Sequence, residues 1–510
     1  MSSTIHVPLG VLDHFCPPNY TAAGWYIPLK NGVTYEEAFA ALQDGLRLTF
    51  QQYPWLSGKV FKQACSTAGS RPGQLEIRYN TSDIEDGDLP QFRFNEISDE
   101  DEDHMSHDDI RECGFPLDAF PDKDVLWGDY INAPKENKGA ECFKAQANFM
   151  PGVVFLCGAA HHNVCDGTAQ FEIWRRWAEN CKALQSGTAA ETPDPLSSDR
   201  ELIERIWATE GNGIGGKENN NEIPPVSWTL LDMDRPGAEP RPKPSPLSCH
   251  ETMQSAVFYI GPDKFAALHK RCMQGPEGGE GCGGGGGRGR ISGNDVLTAL
   301  IWRGLLKARR TAALRAGRVS EADLAGVEAR LQLTLDGRPD ISRAGSLPLV
   351  YLGNLVFMNI CTLPLDELTA PSLSPTDNRL AHVARHIRDV ADGATADAML
   401  GAYGLARRAD NLTSLGLRLA PLRQWDMMLS SLIMFPVGEV RWGGRVFARQ
   451  GQPEAFRPLW DEINSVARLC FPLSRKSGAG AEFVINLFED EMELLLEDKE
   501  FGEFAVYVSS

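Results

Sequence analysis

The 510-residue chain is short of several common signatures, and each absence narrows what it can be. Its 12 cysteines are scattered without a single CxxC pair. Zinc ribbons and thioredoxin-type redox sites need such pairs. Several cysteines, Cys157 and Cys361 among them, lie in apolar runs, where a thiol behaves as a small hydrophobe. They read as reduced thiols of a cytoplasmic protein. Basic residues are also in deficit. Lys and Arg number 50 against 69 Asp and Glu, a formal charge of −19. Phosphate backbones and anionic lipid surfaces both demand a basic footprint, so neither nucleic acid nor a membrane is an expected partner.

No basic segment followed by an apolar stretch opens the chain, so no secretory signal is read there. One uncharged run, residues 344–365, is long enough to cross a bilayer. It contains Asn354, Asn359, two prolines and two glycines without an interfacial belt, and reads as buried strand and loop. There is no GxSxG elbow, HExxH helix, Walker loop or dinucleotide fingerprint, which disfavours the hydrolases, zinc peptidases, NTPases and dehydrogenases built on them. The Gly-rich stretch 275–289 lacks the order of a phosphate cradle and reads as a flexible insertion at 274–290.

What is present is ordinary globular material: 42% hydrophobic and 23% charged residues, which excludes wholesale disorder. The length suggests two to four domains. Thr34-Tyr-Glu-Glu37 is a capping box, and Phe39, Leu42, Leu46 and Phe50 recur at helical spacing until Pro54. Residues 153–157 form an apolar run suited to a buried strand. Residues 168–184 carry Phe171, Trp174, Ala178 and Cys181 on one helical face. Ser292 caps a helix predicted over 295–310. Residues 331–335 alternate as a strand, 483–488 form another, and an acidic helix follows at 489–499. The acidic run 98–109 reads as a solvated loop. Strands and helices are mixed throughout, which predicts an α/β or α+β fold with large sheets. The Gly- and Pro-rich stretch within 186–250 has linker composition. It divides the chain into residues 1–200, a linker at 201–250, and residues 251–510.

The sharpest local feature is His161-His-Asn-Val-Cys-Asp-Gly167, a polar turn between the strand at 153 and the helix at 168. A histidine ending a buried strand can present a ring nitrogen to a cleft, with a pKa suited to general-base work. Asp166 can fix the turn or orient the ring, and Gly167 would relieve the backbone where the helix begins. The heptapeptide also allows a structural histidine, or two histidines and an aspartate as metal ligands. Adjacent histidines point apart on a strand, however, and no third ligand is evident.

His162-Asn-Val-Cys-Asp166-Gly167 resembles the HxxxDG motif of the BAHD acyltransferases, and His161 with it resembles the HHxxxDG of the related condensation domains. Further similarities follow in order. Leu12-Asp13 resembles the family's early turn, and Tyr53-Pro-Trp-Leu-Ser-Gly58 its "yP-la-G". Residues 291–303 resemble "iSsnDaLtAliWr". Leu335-Asp-Gly-Arg338 with Tyr351-Leu-Gly-Asn354 resembles "vDgR…YlGN", and residues 484–500 resemble the closing segment. The HisHis doublet and the Gly-rich insertion are most similar to the fungal branch, which includes trichothecene 3-O-acetyltransferase-like enzymes. The family's DFGWG signature is degenerate. In its frame stand Arg441, Trp442 and Gly443, and the tryptophan of "TSW" is replaced by Leu432.

The resemblance implies an α/β fold of two similar mixed-sheet-plus-helix domains, chloramphenicol acetyltransferase-like and joined by a crossover loop. It also implies a monomer with no resident cofactor or metal, using acyl-CoA, in particular acetyl-CoA, as co-substrate. His162 would be the base, Ser430 an oxyanion donor, and Asp166 would pair with Arg338. Ser292, Gly293 and Asn294 would meet CoA, on a helix where Arg303, Lys307, Arg309 and Arg310 cluster, some of them merely solvated. Leu432 and Asn354 would belong to the substrate pocket. The implied activity is O-acylation of a specialised metabolite such as an alkaloid, terpenoid or polyketide. N-acylation, condensation with a carrier-bound thioester and an inactive binding protein of the same fold are the alternatives.

Overall fold

The computed structural model describes residues 4–64, 69–85, 89–98, 105–210, 223–235, 253–274, 290–345, 347–371, 378–418, 422–473 and 480–510. The Gly-rich insertion at 275–289, residues 99–104 of the acidic run, and 211–222 and 236–252 of the expected linker lie outside the described residues, while the end of that run, expected as loop, opens the helix His107–Glu112.

Two large sheets organise the molecule. The first has five strands in the order Ala455–Pro458, Tyr20–Pro28, Val153–His161, Phe143–Met150 and Phe92–Glu96. Against it lie the helices Tyr35–Gln52 and Gly167–Ser186. The first of these begins at the expected capping box. Thr34 Oγ1 accepts from the Glu37 amide at 3.2 Å, and the Glu37 carboxylate accepts from the Thr34 amide at 3.0 Å. The two helices approach closely at Gly45, where a Cβ would stand 2.2 Å from Cys181 Sγ. Trp177 Nε1 donates to the Leu42 carbonyl across the same contact at 2.8 Å.

The second sheet has seven strands, in the order Val356–Pro364, Glu328–Asp336, Met427–Leu429, Leu469–Leu473, Ala481–Leu487, Gln254–Ile260 and Val506–Ser509. Its core holds Leu297, Leu300 and Ile301 of the helix Gly293–Arg315, which runs more than one turn beyond the expected bounds at its far end. The 344–365 run resolves into a loop and the edge strand Val356–Pro364. Among the described residues no helix is long and apolar enough to cross a membrane.

The chain does not sort into two halves by sequence. Ala455–Pro458, far into the second half, forms the edge of the first sheet, with Phe456 opposite Trp25. On that strand Arg457 bonds Glu482 of the second sheet at 3.1 Å, with both side chains buried. Trp442 also crosses over. It is fully buried against Trp25, Trp174 and Trp177, at ring distances of 6.4, 6.2 and 5.3 Å. Part of the expected linker is structured as well. Leu202–Glu210 is a helix that buries Leu202, Ile203, Ile206 and Trp207 beside Leu12, Phe15 and the helix Ala396–Arg407.

Candidate active site

Between the two sheets lies a cavity of about 320 Å³, lined by both, with His162 on its wall. The volume falls at the lower end of small-molecule sites. The lining is largely apolar, and includes Phe171, Trp174, Met428 and Phe471.

The HisHis doublet divides its work. His161 closes the strand Val153–His161 and is fully buried. Its Nε2 lies 3.0 Å from the Asn132 carbonyl, and its Nδ1 lies 3.3 Å from the Asn163 amide. A carbonyl only accepts and an amide only donates, so the ring is neutral with its proton on Nε2. Burial, the dominant effect, lowers its pKa to about 4. His161 is therefore a fixed structural group. Among the described residues no three His, Cys, Asp or Glu side chains gather as metal ligands.

His162 emerges one residue later and faces the cavity. Its amide donates to the Asn19 carbonyl at 2.8 Å, and its carbonyl accepts from Asn354 Nδ2 at 2.9 Å. The Nδ1 atom is buried without a hydrogen-bond partner. Burial lowers the His162 pKa. Asp166 acts in the opposite direction without restoring it. A neutral imidazole, able to accept a proton, is thus the favoured state at neutral pH.

Asp166 does not orient the ring. One carboxylate oxygen accepts from the Ala169 amide at 3.0 Å, capping the helix Gly167–Ser186, and from Arg338 Nη2 at 2.9 Å. The other accepts from the Leu355 amide at 2.7 Å. Arg338, 1% exposed, also donates to Asp336 and to the carbonyls of Tyr351 and Gly353, each at 2.8 Å. Burial opposes the charge on Arg338, but Asp166 and Asp336 outweigh it and raise the pKa. The family pairing of Asp166 with Arg338 is present, as a clamp between the His162 turn and the second sheet.

Ser430 lines the cavity from the second sheet, just after the strand Met427–Leu429. Its Oγ accepts from Thr334 Oγ1 at 3.1 Å, and both residues line the cavity. Accepting that bond leaves the Ser430 proton available to a ligand. Leu432 lines the same wall.

Other expected site residues fall elsewhere. Asn354 is not on the cavity wall. It is buried behind His162, its amide and Nδ2 bound to Asp13 Oδ1 at 3.0 and 2.9 Å, and it supports the turn. Gly167 has no left-handed φ, so backbone relief does not explain it. Ser292, Gly293 and Asn294 lie outside the cavity lining. The capping box there is closed by Asp295, which in turn pairs with Arg388 at 2.8 Å. Asn294 Oδ1 accepts from Ser431 Oγ at 2.7 Å. The basic residues of that helix are also engaged. Arg303 and Lys307 pair with Glu500, Arg310 with Glu321, and buried Arg309 donates to the Asp426 carbonyl. Each of these side chains thus has at least one partner within the protein.

Thr334, Asp13 and Asn163 make site contacts that their sequence patterns did not reveal. Thr334 sits on the face of the alternating strand opposite Leu331, Leu333 and Leu335, so the alternation itself carried a signal. Asn163 donates to the carbonyls of Asp13 and Cys16, both at 2.8 Å, which ties the His162 turn to the N-terminal segment. Those bonds span about 150 residues and leave no local pattern.

Comparisons with known proteins give the family and the fold. Residues 20–181 match the model of the trichothecene 3-O-acetyltransferase-like N-terminal domain, and residues 131–502 match that of the Transferase family. An eremophilane O-acetyltransferase of Penicillium roqueforti is 23% identical over 98% of each chain. The isocyanide synthase-NRPS hybrid crmA of Aspergillus fumigatus is 27% identical over 98% of the present chain but only 31% of its own length. For the enoyl-CoA isomerase/hydratase claC of Penicillium crustosum, 23% identical over 96% of the present chain, the share is 50%. The chain therefore spans half or less of the length of these two relatives. Among solved structures, F. graminearum TRI101 with coenzyme A and T-2 mycotoxin superposes with a TM-score of 0.74 at 17% identity, over 99% of this chain and 100% of that one. The fold is thus the two-domain α/β architecture seen there. The family match takes in His162, Asp166, Arg338 and Ser430 alike, and the chain belongs to the Transferase family, the BAHD acyltransferases.

Proposed function

We propose that the protein transfers an acyl group, in the simplest case acetyl, from acyl-CoA to a hydroxyl of a small specialised metabolite. The observation that carries this reading is that His162 and the Thr334–Ser430 hydroxyl pair line one largely apolar cavity. His162 takes the proton of the acceptor hydroxyl as its oxygen attacks the thioester carbonyl. The resulting tetrahedral oxyanion accepts a hydrogen bond from Ser430. Collapse breaks the C–S bond, and the departing thiolate recovers the proton from the imidazolium. No acyl-enzyme forms and no resident cofactor takes part. The likeness to an eremophilane O-acetyltransferase supports a terpenoid-like acceptor. The free state of every described cysteine supports a reducing compartment, and we place the protein in the cytoplasm as a monomer.

Incubation with acetyl-CoA and a panel of hydroxylated metabolites, following thiol release, tests the reading. Acceptor-dependent release that disappears in His162→Ala is the expected result. A second reading, a carrier-bound thioester as donor, draws support from the match to part of an NRPS hybrid. Transfer from an acylated carrier protein but not from acetyl-CoA would favour it.

A further inference from the structure

The cavity wall carries few polar groups, and most of them are already engaged. Among the described residues, no Asp, Glu, Lys or Arg side chain lines it. His162 and the Thr334–Ser430 pair serve the proposed transfer, and Thr21 and Gln170 bond to each other. Asn19 and Tyr130, which also line the cavity, are different. Asn19 Nδ2 donates to the Tyr20 carbonyl at 3.1 Å and to the Tyr130 hydroxyl at 2.9 Å. A carbonyl only accepts, so the amide is oriented with its nitrogen on that side, and both of its protons are used. Two groups are left over. Asn19 Oδ1 is buried and accepts from nothing among the described residues, and the Tyr130 hydroxyl keeps a proton that no described residue accepts. Burial raises the Tyr130 pKa, which keeps that proton in place.

Their place is beside the base. Tyr20 stands opposite His161 in the antiparallel pair of strands, and the next bond of that ladder runs from the His162 amide to the Asn19 carbonyl at 2.8 Å. Asn19 and His162 therefore stand opposite one another, and opposite residues of an antiparallel pair send their side chains to one face. That face is the cavity, since both residues line it. Tyr130 is held there before any ligand arrives. Its carbonyl accepts from the Tyr20 amide at 2.9 Å, and Lys144 Nζ donates to the carbonyls of Gly128 and Asp129 at 3.2 and 3.1 Å. A group fixed in advance loses little freedom on binding.

We propose that Asn19 and Tyr130 form a binding subsite for a second hydroxyl of the acceptor. Its oxygen accepts from Tyr130, and its proton goes to Asn19 Oδ1. A hydroxyl offers both functions at one atom, as a free proton and a free lone pair on two bonded side chains require. A carbonyl or an ether would leave Asn19 Oδ1 unpaired. A trans secondary amide, as in the pantetheine arm of CoA, sends its N–H and C=O in opposite directions and cannot meet both. An ionised group would find no countercharge on the wall. The pair thereby decides which hydroxyl of a polyol is presented to His162. This inference rests on the acyltransferase reading above and adds a second anchoring point for the acceptor.

The test matches mono-alcohols of the hydroxylated panel with diols of the same carbon skeleton, menthol and the menthane diols first, in wild type and in Tyr130→Phe. Leaving a buried polar group unpaired costs a factor of about 5 to 150. The expected result is a wild-type kcat/KM that favours a diol over its mono-alcohol by a factor in that range. The ratio should fall toward one in Tyr130→Phe, with the KM for acetyl-CoA unchanged. A general packing defect would lower both rates and leave the ratio alone, so a ratio unchanged in the variant overturns the proposal. Equal wild-type rates on every matched pair, a comparison that needs no variant, overturn it as well. A change confined to the KM for acetyl-CoA would assign the pair to the acyl donor and also overturns it. These three results leave the acyltransferase reading standing. A wild-type protein that acylates no alcohol overturns both.

Discussion

Asp166 and Arg338 are 172 residues apart in sequence and 2.9 Å apart in the fold, with side chains only 5% and 1% exposed. Removing one partner of a buried pair strands the other charge, at a cost of about 3–5 kcal/mol. Arg338→Ala is therefore expected to lower the urea midpoint and the soluble yield. Asp166→Asn keeps a good cap for the helix but loses the ion pair, and is expected to be destabilised less. Urea denaturation followed by circular dichroism checks both. An Asp166→Asn protein as stable as wild type, slowed only in turnover, would contradict the architectural role.

His162→Ala is expected to abolish transfer while leaving the unfolding midpoint close to that of wild type, since the ring makes no side-chain hydrogen bond through Nδ1. The pH dependence follows from burial. The His162 pKa lies below 6.5, and the base acts when deprotonated. The rate should thus be flat through neutrality and fall only as pH drops through that lowered value. A profile of kcat/KM from pH 4.5 to 8 reads this directly. An acidic limb centred above pH 7 would exclude His162 as the titrating base.

Ser430→Ala is expected to reduce kcat by about 100- to 1,000-fold, the usual effect of losing one oxyanion donor. Thr334→Val keeps the shape of the wall and removes only the hydroxyl that donates to Ser430. Its effect should be smaller and should vanish in the Ser430→Ala background. Steady-state kinetics on the four proteins of that cycle separate the two roles.

Trp442 occupies the frame of the degenerate family signature, yet it fills the core of the first sheet among three other tryptophans. Trp442→Ala should cost about 3–5 kcal/mol of stability through the cavity it leaves. In protein that remains folded, KM for acetyl-CoA should move little. Thermal unfolding and KM together check this. The loop bearing Trp442 is anchored by other means than the family's aspartate. Arg441 donates to the carbonyls of Gly438 and Val440, and Gln185 Nε2 to that of Trp442 at 2.7 Å.

Local features were legible in the sequence because their causes are local. The capping box at Thr34 and the cap at Ser292 were visible as four-residue patterns, and the strand at 153 as an unbroken apolar run. The His162 turn stood out because a polar cluster between an apolar strand and an amphipathic helix has few explanations. Asn354 and Gly167 were misread for the opposite reason. Whether a polar residue faces a cavity or supports its wall depends on partners such as Asp13, hundreds of residues away. Whether a glycine serves the backbone or leaves room depends on what stands in front of it. The partners of the basic cluster on the helix Gly293–Arg315 were not legible, because they come from Glu321, the Asp426 carbonyl and Glu500, distant in sequence.

The strand Ala455–Pro458 also sets an order of events during synthesis. The strand Tyr20–Pro28 leaves the ribosome long before Ala455–Pro458, and its outer edge is covered only after residue 458 has followed. For more than four hundred residues of translation an apolar strand edge stands open, which is a template for intermolecular pairing. Fragments that end before residue 455 keep that edge exposed permanently. They are expected to aggregate however well their own helices form, so the shortest well-behaved form of this protein must extend past Pro458.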